Sequence, residues 1–282
     1  MLNIKTAKIS TSLNRGFLNG RVLLSIICLF LCVSAFGLFL FASTSGTGLK
    51  IYYLRHAEGG HNVKKDWEEP KVPESEWPDY VGNPNMFTPK GQKQLLAATK
   101  NLQNYEFNFI ATSPMWRTRN TILPYLKVIN GKSEIWPELH ETSGSSKILS
   151  RKLPKVKDPL FGAGDPIEIP EEEAPYFNLI EGGENEFKRA SRKEKYEYQA
   201  AVMKLVLSKV INRIEDRFGD SGKSILLVGH GGSGKGLLKL ILQSESVGDW
   251  RKGMGNAVMW MVEQQDDGSF KIKMYNGKPI DE

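Results

Sequence analysis

Two apolar runs, each ending in a histidine, constrain this chain more than any other feature. Residues 51–54, Ile-Tyr-Tyr-Leu, are β-branched, aromatic or aliphatic without a break, and residues 224–228, Ser-Ile-Leu-Leu-Val, make a second such run. Neither alternates apolar with polar, so each suits a short strand buried on both faces. Polar chemistry begins where each strand stops: Arg55, His56 and a Gly59-Gly60 turn after the first, Gly229, His230 and Gly231 after the second. Ligands of open α/β sheets sit beyond the carboxyl ends of strands, so these residues are delivered to an expected site. An imidazole beside a guanidinium suits an anionic phosphoryl group, because the neutral ring can attack while the planar fork holds two oxygens. A strand-end histidine making an ordinary hydrogen bond is the plain alternative.

The intervening chain supplies further strand ends. Residues 62–86 hold four prolines with Trp67, Trp77 and Tyr80, which reads as a long loop. Thr88 can cap a helix with Pro89 in its first position and Leu95, Leu96 and Leu102 as the buried stripe. A strand is expected over residues 107–111, followed by Thr112-Ser113-Pro114-Met115-Trp116-Arg117 and a helix that Pro124 can bend. Arg117 then stands in the first turn after a strand, where it can reach an anion or simply remain solvated. Ile135 and Trp136 mark a third strand, after which come Glu138, His140 and Glu141. A carboxylate there is a candidate general acid, or ordinary surface charge. Residues 147–175 read as a solvated loop and residues 184–218 as a helix, buried along Leu205, Val206, Val210 and Ile214 and stopped by Gly219. A helix over residues 237–242 and a hairpin of residues 257–262 and 270–275 end the domain.

The four histidines, His56, His61, His140 and His230, all fall in loops just past expected strands. The string from Gly229 to Lys235 satisfies G-x-x-x-x-G-K between a strand and a helix, the setting of a phosphate-binding P-loop, so a P-loop nucleotide-binding protein is one alternative. Gly236, however, replaces the Ser or Thr that would hold magnesium. A histidine metal site lacks the H-E-x-x-H spacing, and no metal or cofactor is expected.

The amino-terminal segment is of another kind. Residues 22–42, beginning at Val22 and ending at Ala42, are 21 uncharged residues, enough at about 1.5 Å each to cross a bilayer. The expected organisation is a basic leader (1–21), a transmembrane anchor (22–42), a tether (43–48) and one domain (49–282). Lys5, Lys8, Arg15 and Arg21 precede the span, so the positive-inside rule puts the amino terminus in the cytosol and the domain in a lumen or outside; an organellar presequence is the competing reading. Without these four, 34 basic side chains face 32 acidic ones, which gives no reason to expect nucleic acid as a partner. Both cysteines, Cys28 and Cys32, lie in the span, so the domain has no disulfide or thiol chemistry. Oligomeric state is not legible.

Taken in order, the motifs resemble those of the histidine phosphatase superfamily, in its phosphoglycerate-mutase-like branch. L-R-H-A-E-x-x-x-N (Leu54 to Asn62) resembles the nucleophile motif and F-T-P-K-G-Q (Phe87 to Gln92) a helix start. T-S-P-M-W-R (Thr112 to Arg117) resembles the second arginine motif, L-H-E (Leu139 to Glu141) the acidic motif, and V-G-H-G-G (Val228 to Gly232) the second histidine motif. The resemblance implies an α/β fold, a three-layer α/β/α sandwich with a mostly parallel central sheet. It implies that His56 attacks phosphorus, that Arg55, Asn62, Arg117 and His230 hold the phosphoryl oxygens, and that Glu141 protonates the leaving oxygen, with Glu138 as its substitute. The expected partner is a small phosphorylated substrate. The segment after Asn62 departs from the mutase pattern, which favours phosphomonoester hydrolysis over phosphoglycerate-mutase-type transfer. Gly231 after His230 argues against the phytase-like branch. A catalytically silent relative acting as a scaffold remains a third class of reading.

Overall fold

The computed structural model describes residues 48–141, 143–156, 165–181, 186–187, 194–219, 221–244 and 253–280. The expected leader and anchor, and the tether up to residue 47, lie outside the described residues. Among those described, no helix is long and apolar enough to cross a membrane. Residues 47–282 form one compact unit.

The chain begins with β1 (Lys50–Arg55), a 3-10 turn (Gly60–Asn62), α1 (Lys64–Glu68) and a second 3-10 turn (Glu74–Glu76). It continues through α2 (Pro89–Leu102), β2 (Phe109–Thr112), α3 (Trp116–Ile129), β3 (Ser133–Ile135) and a 3-10 turn at Pro137–Leu139. Three two-residue strands follow, β4 (Asp165–Pro166), β5 (Phe177–Asn178) and β6 (Glu186–Phe187), then α4 (Tyr196–Phe218), β7 (Ser224–Gly229) and α5 (Gly231–Leu242). The last strands are β8 (Met259–Gln264), β9 (Phe270–Tyr275) and β10 (Lys278–Pro279).

Eight of these strands form one sheet in the order β10-β9-β8-β1-β7-β2-β3-β5. The pairs from β1 to β5 are parallel, while β8, β9 and β10 add antiparallel pairs beside β1. The sheet is therefore mixed rather than mostly parallel, because the terminal hairpin continues it past β1. Side chains alternate across it as the pleat requires. Ile51 and Tyr53 pack in one core with Met203, Leu207, Val210 and Ile214 of α4 and Leu237 of α5. Tyr52 and Leu54 pack in the other with Leu102 of α2 and Ile122 and Leu126 of α3. Helices thus cover both faces, which is why the two strand runs are apolar without alternation.

Several boundaries differ from expectation. The helix expected from residue 184 begins at Tyr196, and Glu186–Phe187 pairs instead with Asp165–Pro166. Residues 184, 185 and 188–193 of the expected helix lie outside the described residues. Leu96 is 74 % exposed, and the buried positions of α2 are Gly91, Ala98 and Leu102. Leu96 stands about 100° round the helix from half-buried Leu95, off the stripe that Ala98 and Leu102 continue. Thr88 does cap this helix, its hydroxyl accepting from Gly91 N at 2.9 Å with Pro89 next in line. The strand expected over 107–111 runs Phe109–Thr112, and the expected loop after Asn62 contains α1 and a 3-10 turn.

Leu226 is fully buried in the parallel part of the sheet. Leu226→Ala is expected to lower unfolding free energy by about 2–5 kcal/mol, and Leu96→Ala to change it by less than about 0.5 kcal/mol. Urea titration with unchanged slope checks both.

Candidate active site

The ladder between β1 and β7 runs to the pair Arg55–Gly229 and closes with His56 N donating to Gly229 O at 3.0 Å. Both histidines therefore leave adjacent parallel strands at the same height. The His56 and His230 rings lie edge to face with centroids 5.2 Å apart, and both are buried. His56 Nδ1 is 2.7 Å from Ala57 O. A carbonyl can only accept, so Nδ1 carries the proton and Nε2 keeps its lone pair. Burial first, and then the Arg117 charge, push the His56 pKa well below 6.5, with smaller downward effects of Arg55 and His61. The ring is a neutral base at pH 7.

Arg117 enters from the first turn of α3 and is 2 % exposed, its Nη2 donating to Glu141 Oε2 at 2.9 Å. Glu141 follows the 3-10 turn after β3 and is half-buried. Glu138, the substitute acid, is excluded by its partner: Arg213 of α4 holds both its carboxylate oxygens, at 2.7 and 2.6 Å, and stacks over Trp136. Glu58 is likewise occupied, accepting from Thr88 Oγ1 and Lys90 Nζ, each at 2.8 Å.

Arg55 Nη1 donates to Met254 O, and its Nε is buried without a hydrogen-bond partner among the described residues. Burial lowers its pKa. A buried guanidinium with an open donor suits an incoming anion. Asn62 lies at the end of the 3-10 turn, its Oδ1 accepting from Gly59 N at 3.0 Å and facing Asn256 Nδ2 at 3.5 Å. With the oxygen so used, its NH2 group is the one available to an anion.

His56, Arg55, Arg117, Glu141 and His230 are thus brought together, with Asn62 linked through Asn256. His140 is buried with Nδ1 2.8 Å from Pro137 O. His61 is nearer than its place in the motif suggests, with its ring centroid 5.4 Å from that of His56. Sequence reasoning missed three residues. Ser113 Oγ lies 3.0 Å from His230 Nε2; its position just past β2 was the available signal. Asn256 Nδ2 donates to His56 O at 3.0 Å, and Thr121 Oγ1 accepts from Ala57 N at 2.9 Å. Nothing local in the sequence marks either.

The P-loop alternative fails on geometry. A P-loop wraps phosphate with free amides of a loop, but here the helix starts at Gly231 and Gly234 N already donates to His230 O at 2.8 Å. The glycines have a steric reason instead: a Cβ on Gly229 or Gly234 would lie 2.9 Å from Tyr53 Cζ, and one on Gly231 would lie 3.1 Å from Arg55 Nε.

Among known proteins, residues 51–146 match the model of the histidine phosphatase superfamily (branch 1). No curated protein matches in sequence. Similar solved structures include a putative alpha-ribazole-5'-P phosphatase from Escherichia coli (12 % identity, 83 % of this chain and 100 % of that one, TM-score 0.48). Another is a phosphoserine phosphatase mutant from Entamoeba histolytica bound to phosphoserine (14 %, 81 % and 96 %, TM-score 0.47). A third is a mycobacterial glucosyl-3-phosphoglycerate phosphatase in complex with VO3 (18 %, 81 % and 99 %, TM-score 0.45). The matched span contains Arg55, His56, Asn62, Arg117 and Glu141.

Proposed function

We propose that the chain hydrolyses a phosphomonoester through a phosphohistidine on His56. The observation that carries this reading is the neutral His56 ring, its Nδ1 proton directed at Ala57 O and the Arg117 charge beside it. In the first step Nε2 attacks phosphorus, the bond to the leaving oxygen breaks, and Glu141 gives that oxygen a proton. In the second, Glu141 takes a proton from water, the water oxygen attacks phosphorus, and the phosphorus–nitrogen bond breaks to return neutral His56 and inorganic phosphate. Arg55, Arg117, His230 and the Asn62 amide hold the phosphoryl oxygens, and no step calls for a metal.

Glu141 is paired with Arg117 in the free site. An arriving dianion shares that arginine and sets like charge beside the carboxylate, which favours the protonated acid the first step needs. Hydrolysis is preferred to mutase transfer because the segment after Asn62 departs from the mutase pattern. The substrate is a small phosphorylated compound; sugar phosphates, phosphoamino acids, nucleotides and phosphoglycerates form the panel to screen. We further propose that residues 22–42 anchor the chain, amino terminus cytosolic and domain lumenal or external.

Labelled phosphomonoester is expected to leave acid-labile phosphate on the wild type and none on His56→Ala. Equal label on both overturns the reading. Glu141→Gln is expected to lower kcat by roughly 10²–10⁴-fold, whereas Glu138→Gln is expected to reduce stability and leave kcat within about threefold.

For pH, the folded His56 holds its proton less readily than the ordinary 6.5. Its contribution to stability is therefore complete above that value and declines as pH falls below it toward the lower folded pKa. Imidazole nitrogen shifts are expected to report a neutral ring at about pH 6; titration at or above 6.5 overturns the neutral nucleophile. For the anchor, carbonate-washed membranes are expected to retain the full chain, with the domain protected from protease in sealed vesicles; recovery in the soluble fraction refutes it.

A further inference from the structure

We propose that Tyr53 is a positioning residue for His230: its hydroxyl holds the backbone of the second histidine where the strand ladder has ended, and so sets that ring against His56. This rests on the reading of the site as a phosphoryl-transfer centre. Backbone pairing between β1 and β7 stops at Arg55–Gly229. His230 is the next residue and is buried; its carbonyl already accepts from Gly234 N at 2.8 Å, while its N–H needs a partner that the ladder does not give. Tyr53 Oη serves both, accepting from His230 N at 2.8 Å and donating to His230 O at 3.0 Å. Its remaining acceptor position faces Ser233 Oγ at 2.9 Å, so one donor and two acceptor positions are filled. Ser233 could replace these bonds only at longer range, lying 3.4 Å from His230 N and 3.3 Å from His230 O.

The phenol is itself held. Its ring stacks on Trp260 at 5.2 Å between centroids and 8° between planes, and Gly229 and Gly234 leave the space it fills. Burial raises its pKa well above the usual phenol range, so the hydroxyl keeps the proton it donates. Ser113 meets the imidazole at Nε2. The backbone of His230 is thus positioned from β1 and its ring from the turn after β2. Tyr53 also lies on β1 three residues before His56, which directly follows that strand, so nucleophile and second histidine are referenced to one element. Displacing His230 moves a phosphoryl ligand that matters more as charge builds in the transition state than in the ground state.

Tyr53→Phe removes the hydroxyl and keeps the ring. With para-nitrophenyl phosphate as substrate, kcat is expected to fall roughly ten- to hundredfold with KM within about twofold, the cost of a misplaced group in an otherwise intact site. The His230 ring nitrogen resonances are expected to shift while those of His56 keep the neutral tautomer. Wild-type kcat and unmoved His230 resonances in this variant overturn the inference, whatever happens to its melting temperature. If the variant does not fold, 3-fluorotyrosine at position 53 keeps the hydroxyl as a weaker acceptor. A kcat lowered by about threefold or more at unchanged KM supports the role, and an unchanged kcat overturns it. A wild-type protein that neither turns over phosphomonoesters nor takes label on His56 defeats the reading of the site and this inference with it; an active wild type beside an unaffected variant defeats the inference alone.

Discussion

An imidazole attacks phosphorus only when it is uncharged and its unprotonated nitrogen faces the substrate. In this protein the hydrogen bond from His56 Nδ1 to Ala57 O leaves Nε2 as the unprotonated nitrogen, while burial and the neighbouring guanidinium favour the uncharged ring that the proposed reaction needs. The rest of the site can be understood from what that bond requires. Ala57 must be held, and Thr121 of α3 holds its amide. The His56 backbone must be held as well, and Gly229 takes its N–H while Asn256 and Ala257 donate to its carbonyl. Ala257 does so at φ 54°, a left-handed conformation unusual for a residue with a Cβ. Such strain persists only where surrounding contacts impose it, and here they are contacts to the Arg55 and His56 carbonyls.

The carboxylates show how neighbours decide function among chemically identical groups. Glu138 and Glu141 are three residues apart, and in sequence either can be the acid. Packing separates them: Glu138 is buried against a bidentate arginine that lies over Trp136, while Glu141 is half-buried and paired with Arg117, the arginine that the proposed mechanism gives to the phosphoryl group. The first pair is closed to a ligand. In the proposed mechanism the second exchanges partners when an anion arrives.

How much of this was legible depended on whether the cause was local. The runs Ile51 to Leu54 and Ser224 to Val228 announce buried strands because both sheet faces are covered, and Thr88-Pro89 announces a helix start because capping involves only neighbouring residues. The glycine run from Gly231 read as a loop, since isolated glycine disfavours helix by about 1 kcal/mol per residue. Glycine stands in this helix where neighbours leave no room for a Cβ, Arg55 at Gly231, Tyr53 at Gly234 and Leu207 at Gly236, which no local pattern reveals. Asn256 escaped notice for the same reason: its partner His56 is 200 residues earlier and the two meet only once β8 lies antiparallel to β1. The mixed character of the sheet likewise depended on which side of β1 the final hairpin chose.

The placement of β1 also bears on how the molecule comes into being. Both of its neighbours in the sheet are distant in sequence: Tyr53 pairs with Leu227 on one side and Trp260 on the other. The first strand of the domain to be synthesised is therefore among the last to find its partners. At translation rates of about 5–20 residues per second, Ile51 to Leu54 wait on the order of ten seconds or more with apolar side chains uncovered. Non-local pairing of this kind also slows folding. His56 and His230 meet only through the β1–β7 pairing, so on the proposed function activity appears only after that late pairing, and the same apolar run is exposed to aggregation during synthesis.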